Sequence, residues 1–314
     1  MSRPPPSPKF VHYGIVGGAS CSYINGNEMF IGTMEGIVMA YDLETNLKSK
    51  DVYVPDDEET RKIQSIDMSA DDLIVQIRGF AIIFLRRPIP PDRAWRCLRI
   101  IETTHIGFCN SVKFNETLFF ASNDASRSPF LCWTQADPYD HDGVKNMKIN
   151  ALPDVTPMHL AVDQTNGDVL VGMEDGGVAR CAKNGDEWVE KEILKFGKEP
   201  VFCVAVCSKY LAVGHPKTPI SLKTDKEIRE IHYPQTSSGC SSLIFSPNEK
   251  QLLAGFWDGS IRVFSCNKLH ILLSLSHTHS STITSLQWTI MDKTNEDLVV
   301  ATSTDGKVSL WNLK

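Results

Sequence analysis

No C-x-x-C pair occurs anywhere in the 314 residues, although there are nine cysteines: Cys21, Cys97, Cys109, Cys132, Cys181, Cys203, Cys207, Cys240 and Cys266. Their odd number and scattered spacing give no zinc ribbon, thioredoxin-type site or disulfide framework. Free thiols in this number suit a reducing compartment. Cys203 and Cys207, four apart in an apolar run, read as buried strand residues. No apolar run approaches the ~18 residues of a membrane-spanning helix. Residues 1–10 are proline-rich and have no apolar core that could serve as a secretory signal. Basic residues are outnumbered, 32 Lys and Arg against 38 Asp and Glu, for a net charge of −6. That balance argues against a nucleic-acid backbone as the principal partner, since such binding rests on clustered Lys and Arg. There is no G-x-S-x-G, no glycine loop to cradle a phosphate, no pair of carboxylates and no His/Cys/Asp/Glu cluster. No catalytic residue, cofactor or metal is therefore expected. Helical periodicity is scarce throughout. With 42% apolar residues the chain can still bury a core, which excludes global disorder.

What is present is a repeated hairpin. Residues 252–264, Leu-Leu-Ala-Gly-Phe-Trp-Asp-Gly-Ser-Ile-Arg-Val-Phe, form an apolar strand, an Asp-Gly turn and an alternating strand. Residues 298–312 repeat that grammar around Asp305-Gly306, 47 residues after Asp258. Asp-Gly between alternating hydrophobics is a strong hairpin signal because glycine readily takes the positive φ of the turn. The same reading gives Glu35-Gly36 in residues 29–42, with an outer strand over 47–54. It gives Arg78-Gly79 between 73–77 and 81–85, and Asp175-Gly176 between 168–172 and 178–181, with an outer strand over 187–194. Two further units are degenerate: 118–122 and 130–133, joined by the linker 123–129, and 210–213 with 220–222, joined through His215-Pro216. His215 reads as a turn histidine. Turns near 35, 78, 125, 175, 216, 258 and 305 mark units of roughly 40–50 residues, the length of a four-stranded propeller blade.

These units resemble WD40 repeats. In the last one, His279 lies four residues before Ile283, where the family's Gly-His pair precedes the inner strand, although Thr278 replaces the glycine. Ser303, Asp305 and Trp311 fall at the family's Ser, Asp and Trp positions. The resemblance implies a structural hydrogen-bonded chain from Trp311 through Ser303 and His279 to Asp305. A His, Ser, Asp trio also invites a hydrolase reading, but no nucleophile elbow surrounds Ser303. The expected fold is all-β: one seven-bladed WD40 propeller over residues 9–314, preceded by a proline-rich tail at 1–8. The seventh blade lacks an outermost strand, and residues 9–13 are free to supply it and close the ring.

Some details resemble one branch of that family. They are the proline-rich tail into Lys9-Phe10-Val11, Gly107-Phe108-Cys109, the run Ala254-Gly255-Phe256-Trp257-Asp258 with Ile261-Arg262-Val263-Phe264, and the terminal Ser309-Leu310-Trp311. Together they resemble the G-protein β-subunit-like protein 1 family, whose fungal counterpart is ASTRA-associated protein 1. The resemblance implies a non-catalytic scaffold, monomeric within a larger complex, in cytoplasm and nucleus. It implies TTT and R2TP co-chaperone components as partners, in the maturation of phosphatidylinositol 3-kinase-related kinases. It also implies that the residue before each turn Asp faces the central funnel, which selects Met34, Glu174, Trp257 and Thr304, with Arg78 at the matching place in the second repeat. Trp257 is the foremost of these, because Trp is enriched at binding hot spots. Five arginines in residues 86–99, among them Arg86, Arg87, Arg93 and Arg96 in a proline-broken loop on the opposite face, form a second candidate surface for an acidic segment. Two alternatives stand beside this reading. A substrate receptor of a cullin-RING ubiquitin ligase is only approximated by Trp311-Asn312-Leu313-Lys314. A G-protein β-like signalling scaffold of the heterotrimeric kind would need an N-terminal coiled-coil helix, and four prolines in the first eight residues do not provide one.

Overall fold

The computed structural model describes residues 6–56, 59–123, 130–134, 143–147, 155–275, 277–291 and 294–313. The first five residues of the expected tail, Asp57 and Glu58 of an acidic connection, and most of the 123–129 linker lie outside them. The chain opens with β1 (Phe10–His12). Blade 1 follows as β2 (Ala19–Asn25), β3 (Glu28–Thr33), β4 (Val38–Asp42) and β5 (Leu47–Tyr53). Blade 2 is β6 (Ile63–Ser69), β7 (Asp72–Ile77), β8 (Ala81–Arg86) and β9 (Arg96–Glu102). Blade 3 is β10 (Val112–Phe114), β11 (Thr117–Ala121), β12 (Phe130–Thr134) and β13 (Val144–Asn146). Blade 4 is β14 (Pro157–Val162), β15 (Val169–Met173), β16 (Gly177–Asn184) and β17 (Glu187–Lys195). Blade 5 is β18 (Cys203–Val206), β19 (Leu211–Gly214), β20 (Ile220–Lys223) and β21 (Ile228–Ile231). Blade 6 is β22 (Cys240–Phe245), β23 (Gln251–Phe256), β24 (Ile261–Ser265) and β25 (Ile271–Leu275). Blade 7 holds β26 (Ile283–Ile290), β27 (Asp297–Ser303) and β28 (Val308–Trp311).

Each blade is a four-stranded antiparallel sheet, and the seventh takes β1 as its outer strand, in the order β1-β28-β27-β26. Phe10 pairs with Leu310, Val11 with Ser309 and His12 with Val308. This is the closure expected from the sequence. It covers an edge that would otherwise offer unpaired N–H and C=O groups. The middle two strands of a blade are buried on both faces and run apolar without alternation, as in Leu73–Ile77 and Ala81–Leu85. The outermost strands are mostly exposed, so their sequences carry little pattern. Pro88, Pro90 and Pro91 just before β9 read as a break, which explains a correction. Arg86–Arg96 is not wholly a loop: Arg86 closes β8, Arg96 opens β9, and the two are paired in register.

Adjacent blades pack through close backbone approach and are stitched by side chains of the innermost strands. Gly255, at the end of β23, lies where a Cβ would come within 2.5 Å of the Ile283 side chain in the next blade. Ser22 of blade 1 meets Ser285 of blade 7 at 2.7 Å, and Ser65 of blade 2 meets Ser111 of blade 3 at 2.7 Å. Asn110 of blade 3 donates to the Leu160 carbonyl and accepts from the Leu160 N–H of blade 4. Between blades 5 and 6 the contact is a thiol pair, Cys203 and Cys240, with sulfurs 3.6 Å apart. All nine cysteines are unbridged. The innermost strands line a central channel with a mixture of hydroxyls, such as Ser22, Ser65 and Ser285, and aliphatic side chains, such as Ile66, Leu243 and Leu286.

Candidate functional site at the channel mouth

The channel encloses about 760 Å³ and is walled by the innermost strands. One rim carries the turns between second and third strands together with the blade-to-blade connections. Three of the residues selected from the sequence, Met34, Trp257 and Thr304, line the channel at this rim. Met34 is 36% exposed. Thr304 is anchored by its hydroxyl to Ser281 at 2.7 Å. Glu174 is exposed at the β15–β16 turn but is not among the residues lining the channel. Arg78 stands beside the mouth, its guanidinium 5.0 Å over the Phe108 ring.

Trp257 is held in place from below. Its ring lies over Gly239, where a Cβ would come within 2.3 Å of the indole, and Gly239 adopts a φ of +51°. Any side chain here would displace the indole and strain the backbone. The Trp257 N–H donates to the Gly239 carbonyl at 3.1 Å. Its neighbour Phe256 is buried in the blade and meets the Tyr233 ring at a tilt, with centroids 4.7 Å apart. Trp257 instead meets Phe202 of blade 5 edge-on, with centroids 5.4 Å apart, and Phe202 meets Phe108 of blade 3 at 6.4 Å. Arg78, Phe108, Phe202 and Trp257 thus form an arc across the mouth. Phe108 is 52% exposed, and Ile106 beside it is 66% exposed.

Phe108 and Phe202 escape a reading of the residues for function. Phe202 sits in an apolar run that reads as strand, and Phe108 is one aromatic before a short strand. The signal that could have found Phe202 is positional. Lys62, Phe202 and Thr282 each immediately precede an innermost strand and so reach the same rim.

On the opposite rim the arginine cluster is largely neutralised within the protein. Arg86 pairs with Asp72, Arg87 makes two bonds to Glu28, and Arg96 pairs with Asp92. Arg87 also lies over the Trp95 ring at 5.2 Å. Arg93 is exposed. Charges already paired with carboxylates offer a weaker site for an acidic segment than the sequence count alone suggests.

In blade 7 the hydrogen-bonded chain exists, but its hydroxyl belongs to Ser309. The Trp311 Nε1–H donates to Ser309 Oγ at 2.7 Å, Ser309 Oγ is 2.7 Å from His279 Nε2, and His279 Nδ1 is 3.3 Å from Asp305. Ser309 and Trp311 are two residues apart on one strand and point to the same side. Ser303 donates to the Ser281 carbonyl and accepts from the Asp305 N–H, so it serves the turn. His215 is buried at the end of β19, with Nδ1 3.2 Å from the Pro200 carbonyl.

Deeper in the channel, burial pushes the Asp67 carboxyl up to about 6 and the His159 imidazole down to about 4. Tyr23 is raised to about 12, first by burial and then by Asp67. These shifts act on stability with opposite signs. The neutral His159 favours folding above its unfolded value near 6.5, and that contribution is lost as pH falls from there through about 4. Asp67, with its folded value raised above 3.8, costs stability as pH rises from 3.8 through about 6. We therefore expect Asp67→Asn to stabilise the protein by about 1–3 kcal/mol at neutral pH, discounted for the partial exposure of this carboxyl, and to change little below its unfolded value. Urea titrations at neutral and acid pH measure this; a lower midpoint for the variant at neutral pH would show that the carboxylate is favourably held.

No group of three or more metal-binding side chains, and no helix long and apolar enough to cross a membrane, occurs among the described residues. The repeat family described as WD domain, G-beta repeat matches residues 226–265 and 270–312. Each match begins with the outer strand of one blade and ends with the three inner strands of the next, so the sequence repeat is offset from the blade. The chain carries WD40 repeats and folds as a seven-bladed β-propeller. No curated protein matches it.

Proposed function

We propose that this WD40-repeat chain is a non-catalytic scaffold that holds protein partners at the rim bearing Trp257. The observation that carries the reading is the aromatic arc of Phe108, Phe202 and Trp257 across the channel mouth, with Met34 and Ile106 exposed beside it. Partly exposed aromatics fixed on rigid strands lose little entropy on binding and are the usual anchors of interfaces. Residues 9–314 act in this role as one domain, with 1–8 as a tail. The resemblance to the G-protein β-subunit-like protein 1 family supports a finer assignment. The partners are then TTT and R2TP co-chaperone components, and the outcome is maturation of phosphatidylinositol 3-kinase-related kinases, in cytoplasm and nucleus. The propeller works there as a monomer within the larger complex and raises the local concentration of two partners by binding both.

Trp257→Ala should keep the β-sheet circular dichroism of the parent and lose a partner by about 2 kcal/mol or more, roughly thirtyfold in affinity. Affinity purification with mass spectrometry, alongside cellular kinase levels, measures the effect. A folded variant that retains every partner removes Trp257 from the site. A parent protein that never associates with the co-chaperones or kinases sinks the finer assignment and leaves the scaffold reading standing.

A further inference from the structure

Two cations stand together at the channel mouth with no counter-ion among the described residues. Lys62 immediately precedes β6 and Arg78 immediately follows β7, and the Arg78 N–H donates to the Lys62 carbonyl at 3.0 Å. Both side chains are partly buried, and Lys62 lines the channel. Neither makes an ion pair among the described residues, and Glu59, just upstream, is taken by Arg61. Burial, with Arg78 nearby, holds the Lys62 amine below the ordinary lysine range. Two like charges drawn partly out of water repel each other until an anion joins them.

Arg78 is preorganised for such an anion. Its Nε–H donates to the Ile106 carbonyl at 2.8 Å, and its plane is fixed over Phe108. The two terminal nitrogens make no hydrogen bond to a described residue, and a guanidinium fork presents them in the geometry that a carboxylate accepts. The Phe108 carbonyl is in turn held by the Gln64 side-chain amide, so the aromatic arc begins directly beside the cations.

We infer that the mouth binds an acidic, apolar segment of a partner protein, with an Asp or Glu carboxylate between Lys62 and Arg78 and the adjoining apolar side chain on Phe108, Phe202 and Trp257. The inference rests on the scaffold reading and adds to it the chemistry of the partner. A basic segment is repelled by both cations. Because the two charges lie on the rim, a segment crossing the mouth presents side-chain carboxylates to them, not only a chain terminus.

The test is a random-peptide selection on the intact protein, with the peptides fused at their C-termini so that only side-chain carboxylates are offered. Selected peptides are then measured by fluorescence anisotropy. The expected result is enrichment of Asp or Glu next to Phe, Leu or Trp. Affinity should fall about tenfold or more in Lys62→Gln and Arg78→Gln, recover substantially in Lys62→Arg, and weaken with added salt. Melting temperatures within a few degrees of the parent check the fold of each variant. Peptides that need Trp257 but ignore Lys62 and Arg78, or that carry no acid, overturn the carboxylate inference and leave the interaction face. Peptides that bind Trp257→Ala as well as the parent overturn both. A selection that enriches nothing also overturns the inference.

Discussion

A chain beginning at Gly14 should melt on the order of 10 °C below one that carries residues 9–13. The truncation removes β1, the outer strand of blade 7. The pairing of Phe10 with Leu310 and His12 with Val308 is lost, together with the Lys9 N–H to Leu310 carbonyl bond at 2.7 Å. The Lys9–Glu296 ion pair at 3.2 Å goes too, but it is exposed and contributes little. Packing matters more. His12 is buried and meets the Tyr41 ring of blade 1 edge-on, with centroids 4.6 Å apart. It thereby covers the apolar contact of Met29, Ile31 and Met39 with Leu298, Val300 and Leu310, where blade 1 meets blade 7. Opening that seam puts water on two apolar faces at once, because each blade is buried only by its neighbours. Several kcal/mol lost from a total of ~5–15 is a large fraction. Differential scanning calorimetry of the two chains decides it; equal melting temperatures would show that β1 is an ornament on an already closed ring.

Trp311→Ala should cost about 3–5 kcal/mol, since the indole is 1% exposed and a core relaxes only partly around the cavity that is left. Asp305→Ala should cost about 1–3 kcal/mol, and its pH dependence reports the protonation of the whole chain. Ser309 Oγ accepts from the Trp311 N–H, and among the described residues the Ser309 O–H finds its acceptor in His279 Nε2. That leaves Nδ1–H to donate to Asp305, and the imidazole is neutral. Burial holds His279 below its usual value in agreement, outweighing the pull of Asp305. Burial alone would raise Asp305, but the Ser280 N–H at 2.8 Å and His279 hold it below the usual carboxylate range. A depressed acid stabilises the fold above its unfolded value near 3.8 and loses that contribution only as pH falls through the folded value. The penalty of Asp305→Ala should therefore be flat from about pH 5 to 8 and shrink only below about 4. Denaturant titrations across that range measure it. A penalty that changes near pH 6–7 would mean that His279 is an imidazolium in the folded protein.

Much of this molecule is legible one residue at a time. The turn glycines Gly176, Gly259 and Gly306 take φ values of +81°, +81° and +77°, a conformation that favours glycine and that the Asp-Gly pairs announce. The apolar runs beside them fix the strands, their spacing fixes seven blades, and β1 pairs with β28 as the fourth strand of the last one. Met34, Trp257 and Thr304 follow from the resemblance to WD40 repeats, which implies that the residue before each turn faces the funnel. The outer strand β9 does not follow, although the exposed outer strands β5 and β17 do, because Pro88, Pro90 and Pro91 just before it read as a break. Nor does Ser309 in place of Ser303, since both are serines near the same turn and only the facing of β28 toward His279 separates them. The channel mouth is the extreme case. Phe108, Phe202 and Trp257 come from three blades, and Lys62 and Arg78 from two ends of a hairpin. Local backbone preference and alternation are properties of contiguous residues, so the sequence determines the blades. The mouth takes one or two residues from each of several blades, and only closure of the ring decides which of them touch.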